Sequence, residues 1–156
     1  VVSCASYLED LVKENLLKGF REETCDNGYY LNFVEKFSIE RQFHTLFDWN
    51  SNNANGFYGL FGPDFKQKMK ERKISDQDFE EGEKEFLFIG AERSKQVHNN
   101  LSSTTVDKTA YEIYTSFYYA LYFVDVVFNY LKFRKKYFTP NHKNFLVILP
   151  NNKSQK

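Results

Sequence analysis

The stretch FYYALYFVDVVFNYL, residues 117–131, carries the strongest structural signal in the sequence. It is apolar or aromatic almost throughout, and Asp125 and Asn129 are its clearly polar residues. A membrane-spanning helix needs about 20 apolar residues, so this run predicts a buried helix and no membrane partner. The surrounding pattern extends that helix to residues 105–136, with Thr104 and Asp107 as a variant capping box at its start.

This helix lacks a polar stripe, so it has to be covered on more than one side. A small helical domain does not easily enclose such a helix alone. The sequence therefore predicts a homodimer formed through helices. The alternative is a central helix that is wrapped completely within one chain.

Apolar residues recur at three- and four-residue steps in the first part of the chain, which is typical of amphipathic helices. Pro63 suits the first turn of a helix, and Ser75 is a candidate N-cap. The sequence predicts four helices before the apolar stretch, over residues 2–20, 29–47 (broken near Ser38), 63–73 and 76–98.

Two further segments have a distinctive composition, one between helices and one within a helix. Residues 48–62 are rich in Asn and Gly and predict a loop. This loop also contains apolar side chains that would fold it back onto the core, namely Phe57, Tyr58, Leu60 and Phe61. The charged run at residues 80–85 predicts a solvated helix face.

Length and composition indicate the class of protein. A chain of 156 residues suits one domain, and 21 basic against 21 acidic residues leave no global field to attract nucleic acid or a membrane. Cys4 and Cys25 are too few for a disulfide framework, which suits a cytoplasmic protein. We expect an all-α protein of about 4–6 helices, with a C-terminal extension over residues 139–156.

The strongest candidate for chemistry lies at the end of the helix over residues 76–98. Four residues separate Arg93 from His98. Histidine is the commonest general base in proteins, and arginine is a permanent cation that can hold a phosphate. The alternative is structural, because cations at a helix C-terminus are stabilised by the helix dipole. Other polar residues crowd the same segment: Glu92, Ser94, Lys95, Gln96, Asn99 and Asn100.

The chain resembles the HEPN family, whose signature is an Arg, four to six residues and a His at a helix end, followed by a long helix. Residues 88–99 resemble this signature, and residues 105–130 resemble the helix that follows it. Residues 1–12 resemble the opening helix of the family. Residues 60–66 resemble the loop-to-helix segment of its toxin- and defence-associated prokaryotic branches.

The resemblance implies an up-and-down helical bundle over residues 1–138. Two copies would form a homodimer in which two Arg–His pairs line a shared cleft and cut RNA without a metal or cofactor. Arg93 would bind the scissile phosphate, and His98 would act in proton transfer. Glu92, Ser94, Lys95 and Asn99 would support them. The products would carry 2′,3′-cyclic phosphate and 5′-hydroxyl ends. The implied partners are an RNA substrate, a second copy and an antitoxin or defence-system protein.

One departure from the family pattern supports a second hypothesis. The residue after the Arg is usually Asn, Asp or His in this family, and here it is Ser94, whose hydroxyl reaches less far. Family members without activity serve as dimerising or RNA-binding modules. The alternative function is therefore a non-catalytic interaction module.

Two further patterns are candidate sites. Glu40, His44 and Asp48 lie at four-residue steps and could offer a divalent metal one helix face, although such a stripe is more often an exposed polar surface. Basic residues close the long helix and could contact an RNA backbone or merely complement the helix dipole; they are Lys132, Arg134, Lys135 and Lys136.

Overall fold

A computed structural model describes residues 1–24, 28–98 and 106–132. Within these ranges helices are the only regular secondary structure, which confirms the predicted all-α class, although the α-helices number seven and the prediction was about 4–6. No helix in them is long and apolar enough to cross a bilayer. The elements are α1 (Val2–Thr24), α2 (Gly28–Phe33), a π-helical segment (Val34–Glu40), α3 (Phe43–Leu46), α4 (Asn55–Gly59), α5 (Pro63–Ser75), α6 (Gln77–His98) and α7 (Ala110–Lys132).

Helices α6 and α7 form the principal pair of the fold, and α1 packs against both. The α6–α7 contact is close because Gly82 has no side chain: a Cβ there would lie 2.5 Å from the carbonyl oxygen of Tyr119. Rings from α6 pack around Phe123, with centroid distances of 5.5 Å from Phe79 and 5.2 Å from Phe86. Aromatic pairs at such distances add to the stability that burial provides.

Within α7, most side chains of the apolar stretch (residues 117–131) are buried or half-buried by the chain itself, whereas Tyr111 and Tyr114 near the start of the helix are exposed. Asp125 and Tyr130 are exposed, whereas the buried positions include Ala120, Phe123, Val124, Val126, Val127 and Phe128. Enclosure within one chain, the alternative considered for this helix, therefore accounts for these residues. The apolar character of α7 alone does not require a second copy, and the homodimer stays a prediction.

The junction between α5 and α6 differs from the predicted one. Asp76 caps α6, since its carboxylate accepts a hydrogen bond from the backbone N–H of Phe79 at 3.0 Å. The predicted cap, Ser75, instead donates to the carbonyl of Arg72 at 3.1 Å and closes α5. Asp76 also accepts from the Tyr122 hydroxyl at 2.7 Å, so the cap ties this corner to α7.

The charged run on α6 is not wholly solvated, and the prediction is wrong at Glu83, which is 1% exposed. Its carboxylate accepts hydrogen bonds, each 2.8 Å long, from the backbone N–H of Ala54, the hydroxyl of Tyr58 and the ammonium of Lys73. A buried carboxylate is tolerated when it is paired and hydrogen-bonded in this way. Glu83 thus anchors the loop of residues 48–62 and the end of α5 to α6.

That loop folds back onto the core, as its aromatic residues predicted. Phe57 and Tyr58 lie on the short helix α4 and are fully buried. Leu60 and Phe61, which follow them, remain exposed. The loop therefore contributes two rings to the core and then returns to the surface before α5.

Two predicted boundaries lie a few residues away from the observed ones. The long helix begins at Ala110 and not at Thr105, because Thr109 and Glu112 form the capping box: Glu112 accepts from the backbone N–H of Thr109 at 2.7 Å. Asp107 lies in a bend before the helix, and Thr104 lies outside the described residues.

The second helical region breaks at residues 41–42, whereas Ser38 lies inside the π-helical segment. The C-terminal extension over residues 139–156 also lies outside the described residues.

Candidate active site on helix α6

Arg93 points from α6 towards α1. Its Nη1 donates a hydrogen bond to Oε2 of Glu9, and the other carboxylate oxygen of Glu9 accepts from Nζ of Lys13 at 2.6 Å. The ammonium of Lys13 also lies 5.1 Å from the ring centre of Phe43. Two cations therefore share one carboxylate, and the cluster keeps one net positive charge beside the guanidinium.

The Glu9 carboxylate is held in its anionic form. Burial raises its pKa, but hydrogen bonds from Lys13 and Arg93 and the attraction of their charges outweigh burial, so the pKa lies below its ordinary value of 4.5. Glu9 is thus charged near neutral pH and fixes the direction of the Arg93 guanidinium.

An open cleft of about 340 Å³ lies between α1, α3 and α6. Its polar border includes Glu9, His44, Arg93 and Ser94, and its apolar wall includes Trp49 and Val97. A second cavity, of about 390 Å³, lies beside it and shares Trp49 and Ser94 with it; Lys95 and Asp48 also border this cavity. Arg93 and Ser94, predicted as site residues, therefore border the same cleft.

Trp49 borders both cavities and lies directly on α6. A Cβ at Gly90 would lie 2.2 Å from two carbons of the indole ring, so the absence of a side chain there lets the ring rest on the helix backbone. The ring centres of Phe47 and Phe86 lie 5.2 Å and 5.8 Å away. This packing fixes the indole at the cleft wall.

Of the other predicted site residues, Glu92 and Lys95 are described on α6, whereas the side chain of His98 and all of Asn99 are not. Glu92 is 8% exposed and accepts from the ammonium of Lys95 at 2.6 Å; this hydrogen bond and the Glu92 charge raise the pKa of Lys95. His98 is the last residue of α6. Its side chain lies outside the described part of the structure, as does Asn99.

The three candidate metal ligands do not share a helix face. Glu40 ends the π-helical segment and pairs with Lys36 at 2.9 Å, while Asp48 accepts from the backbone N–H of Asn50 at 3.1 Å. His44 lies on α3 and borders the cleft. In residues 1–24, 28–98 and 106–132, no group of three or more His, Cys, Asp or Glu side chains could hold a metal ion.

Glu9, His44 and Trp49 were not predicted as neighbours of Arg93. The contact between Glu9 and Arg93 spans 84 positions of the sequence, so no local spacing could reveal it. Two features of the sequence could have indicated this neighbourhood. Trp49 is the single Trp and lies in an Asn-rich loop, and Gly90 lies inside a helix, where a glycine often marks a close contact.

The Glu9 ion pairs predict a specific dependence of stability on pH. A depressed carboxyl pKa stabilises the fold above the ordinary value of 4.5 and stops doing so as pH falls through the folded-state pKa. We expect Glu9→Gln to be less stable than wild type at neutral pH, and the difference to shrink below pH 4.5. Urea unfolding across a pH series measures this. Glu14→Gln, an exposed change on the same helix, serves as the control, and a difference that does not vary with pH would contradict the assignment.

Comparison of the chain with models of protein families, with curated proteins and with solved structures gives no match. The resemblance to the HEPN family therefore stays a prediction from the sequence, carried by the residues around Arg93 and His98.

Proposed function

We propose that this protein is a HEPN-like, metal-independent endoribonuclease that acts as a homodimer in a toxin or antiviral-defence system. One observation carries the proposal: Arg93 and Ser94 of the signature segment border an open cleft close to the end of α6, where His98 lies. Arg93 and His98 are five positions apart, which corresponds to about 7.5 Å along the axis of a helix. This separation is comparable to the length of one or two nucleotides.

Arg93 is suited to the role of a phosphate ligand. A guanidinium has five N–H donors, so one that is oriented by Glu9 can still donate to a phosphate oxygen from its remaining edge. The shared carboxylate leaves one net positive charge at this end of the cleft, because Lys13 balances it. Ser94 adds a hydroxyl that can both donate and accept beside the same phosphate.

The reaction needs no metal. His98 accepts the proton of a ribose 2′-hydroxyl, and the 2′-oxygen attacks the adjacent phosphorus. Arg93 stabilises the negative charge that develops on the phosphoryl oxygens. The bond between phosphorus and the 5′-oxygen breaks, that oxygen takes a proton from water as it leaves, and His98 returns its proton to water. The products are a 2′,3′-cyclic phosphate and a 5′-hydroxyl.

A homodimer would bring the catalytic groups together. A step of five residues turns about 140° beyond one full turn of a helix, so positions 93 and 98 of one straight helix diverge. Two copies that meet at the ends of α6 would place the histidine of one near the arginine of the other. A chain that sediments only as a monomer at tens of micromolar would contradict this arrangement.

The test of this function uses a DNA strand that contains one ribonucleotide. We expect cleavage in EDTA at the ribonucleotide and at no other position, because only that residue carries the attacking 2′-hydroxyl. The all-DNA strand and a strand with a 2′-O-methyl group at the same position are matched controls. Cleavage of either control, or cleavage that EDTA abolishes, would contradict the proposed chemistry.

The second candidate is a non-catalytic interaction module, and two observations favour it. The guanidinium of Arg93 is already engaged by Glu9 within the chain, and Ser94 stands where the family usually has a longer polar side chain. A well-folded dimer that cleaves none of several RNAs would support this candidate over the nuclease.

A further inference from the structure

The cleft beside Arg93 has a mixed character that a phosphate alone would not need. One side is formed by rings and aliphatic groups, including Phe43, Trp49 and Val97. The polar groups are the Glu9 carboxylate, which is paired with Arg93 and Lys13, and the side chains of Arg93, Ser94 and His44. Ligand sites typically combine an apolar lining with a few placed polar groups. The combination fits a planar, polar-edged ring that is attached to an anion.

The size of the cleft points to a single unit of a polymer. Ligand pockets are typically about 300–1,000 Å³, and this cleft, at about 340 Å³, is at the small end of that range. It would take one base with its ribose, not several stacked bases. Single-stranded RNA is read in this way, through unstacked bases that contact aromatic side chains and polar groups.

The wall of the cleft is built to stay in place. The indole of Trp49 rests on Gly90, where any side chain would collide with it, and the Phe47 and Phe86 rings pack beside it. Among the described residues, Val97 is 67% exposed although it borders the cleft, so its side chain lies at the mouth next to Arg93. A rigid aromatic wall beside such a mouth suits recognition of a base that swings out of a strand.

We propose that this cleft is a subsite for one unstacked base of single-stranded RNA, with Trp49 and Val97 along the base and Arg93 at the attached phosphate. This inference rests on the proposed function for its choice of ligand. His44 would then contact the polar edge of the base or the ribose, and Ser94 would contact the phosphate beside Arg93. The subsite selects single strands, because a base paired within a duplex cannot enter it.

Trp49 is the single tryptophan of the chain, so its fluorescence reports directly on the cleft. The full chain is titrated with adenosine 3′-monophosphate and with a 2′-O-methyl oligonucleotide, which cannot be cleaved. Excitation at the red edge of indole absorption avoids absorption by the nucleotides. We expect saturable quenching by both probes and none by inorganic phosphate or by a duplex of the same sequence.

Variants locate the binding. Arg93→Gln should weaken binding about tenfold to a hundredfold, as expected for loss of a hydrogen bond between charged groups, and Val97→Glu should abolish it by placing an anion at the mouth. Lys84→Ala removes an exposed cation from the same helix, paired with Glu80 and outside the cleft, and should bind like wild type. Quenching that persists unchanged in Val97→Glu, or quenching by phosphate alone, would overturn the subsite.

The outcomes separate the subsite from the nuclease. Cleavage of RNA by a chain that shows no saturable quenching overturns the subsite and leaves the proposed function standing. Quenching that depends on Arg93 and Val97 in a chain that cleaves no RNA supports the subsite and overturns the nuclease.

Discussion

Replacement of Glu83 by alanine is expected to lower the free energy of unfolding by about 3–5 kcal/mol, the cost of breaking a buried ion pair from one side. The substitution would leave the Lys73 ammonium without its carboxylate and the Ala54 N–H without its acceptor. It would also remove the acceptor of the Tyr58 hydroxyl, which stays protonated because burial and the Glu83 charge raise the pKa of Tyr58. Urea unfolding followed by circular dichroism measures the loss.

Two variants sharpen this prediction. Glu83→Gln keeps an acceptor oxygen but not the charge, so its loss of stability should be smaller than that of the alanine variant. Glu81→Ala removes an exposed carboxylate from the same run, and its effect should stay within about 0.5 kcal/mol. Equal effects at positions 81 and 83 would contradict the role of Glu83 as the anchor of the loop.

Replacement of Arg93 by alanine is expected to slow RNA cleavage by about 100- to 1,000-fold, as for removal of one group that stabilises a developing oxyanion. The fold should survive, because Glu9 keeps its contact with Lys13 at 2.6 Å. Arg93→Lys keeps the charge but loses the planar fork of donors, so it should recover only part of the rate. Single-turnover cleavage with protein in excess measures the chemical step.

Lys13→Ala is the matched control for Arg93. It removes the other cation from the same carboxylate, but Lys13 does not border the cleft. Its cleavage rate should fall, because the cluster loses its net positive charge, but by clearly less than that of Arg93→Ala, which also removes the donors to the phosphate. A loss of rate as large as that of Arg93→Ala would contradict the assigned role of Arg93. It would show that cleavage depends on the net charge of the cluster and not on the position of the guanidinium.

Local patterns in the sequence were sufficient to place the main helices. The apolar spacing over residues 2–20 predicted α1, which runs from Val2 to Thr24. Pro63 correctly marked the start of α5. These features depend on neighbours within one or two helical turns, which the sequence shows directly.

Features that depend on distant partners were not predictable in the same way. Glu83 looks solvated beside Glu80, Glu81 and Glu85, and its burial follows from partners 25 and 29 positions away. Asp76 caps α6 because its backbone is extended (φ −142°), as is usual for a residue that precedes a helix. The neighbouring Ser75 is still the last residue of α5. Adjacent residues that can both cap a helix cannot be distinguished by spacing.

In the candidate site, too, local spacing predicted some features and distant partners determine others. The Arg93–His98 spacing marked the end of α6, and the structure brings Arg93 and Ser94 to one cleft. The partner that orients Arg93 and the ring that forms the wall come from α1 and from the loop after α3, which only the fold brings to α6. Tertiary packing therefore decides what the signature can bind, and the sequence alone decides only where the signature lies.

The most direct test of the nuclease is cleavage of RNA in EDTA by the wild type and by His98→Ala, with the product ends identified. The predicted result is cleavage to 2′,3′-cyclic phosphate and 5′-hydroxyl ends, slowed about 100- to 10,000-fold in the variant, the range for loss of a general base. Absence of cleavage by a folded wild-type dimer, or equal cleavage by the His98 variant, would contradict it.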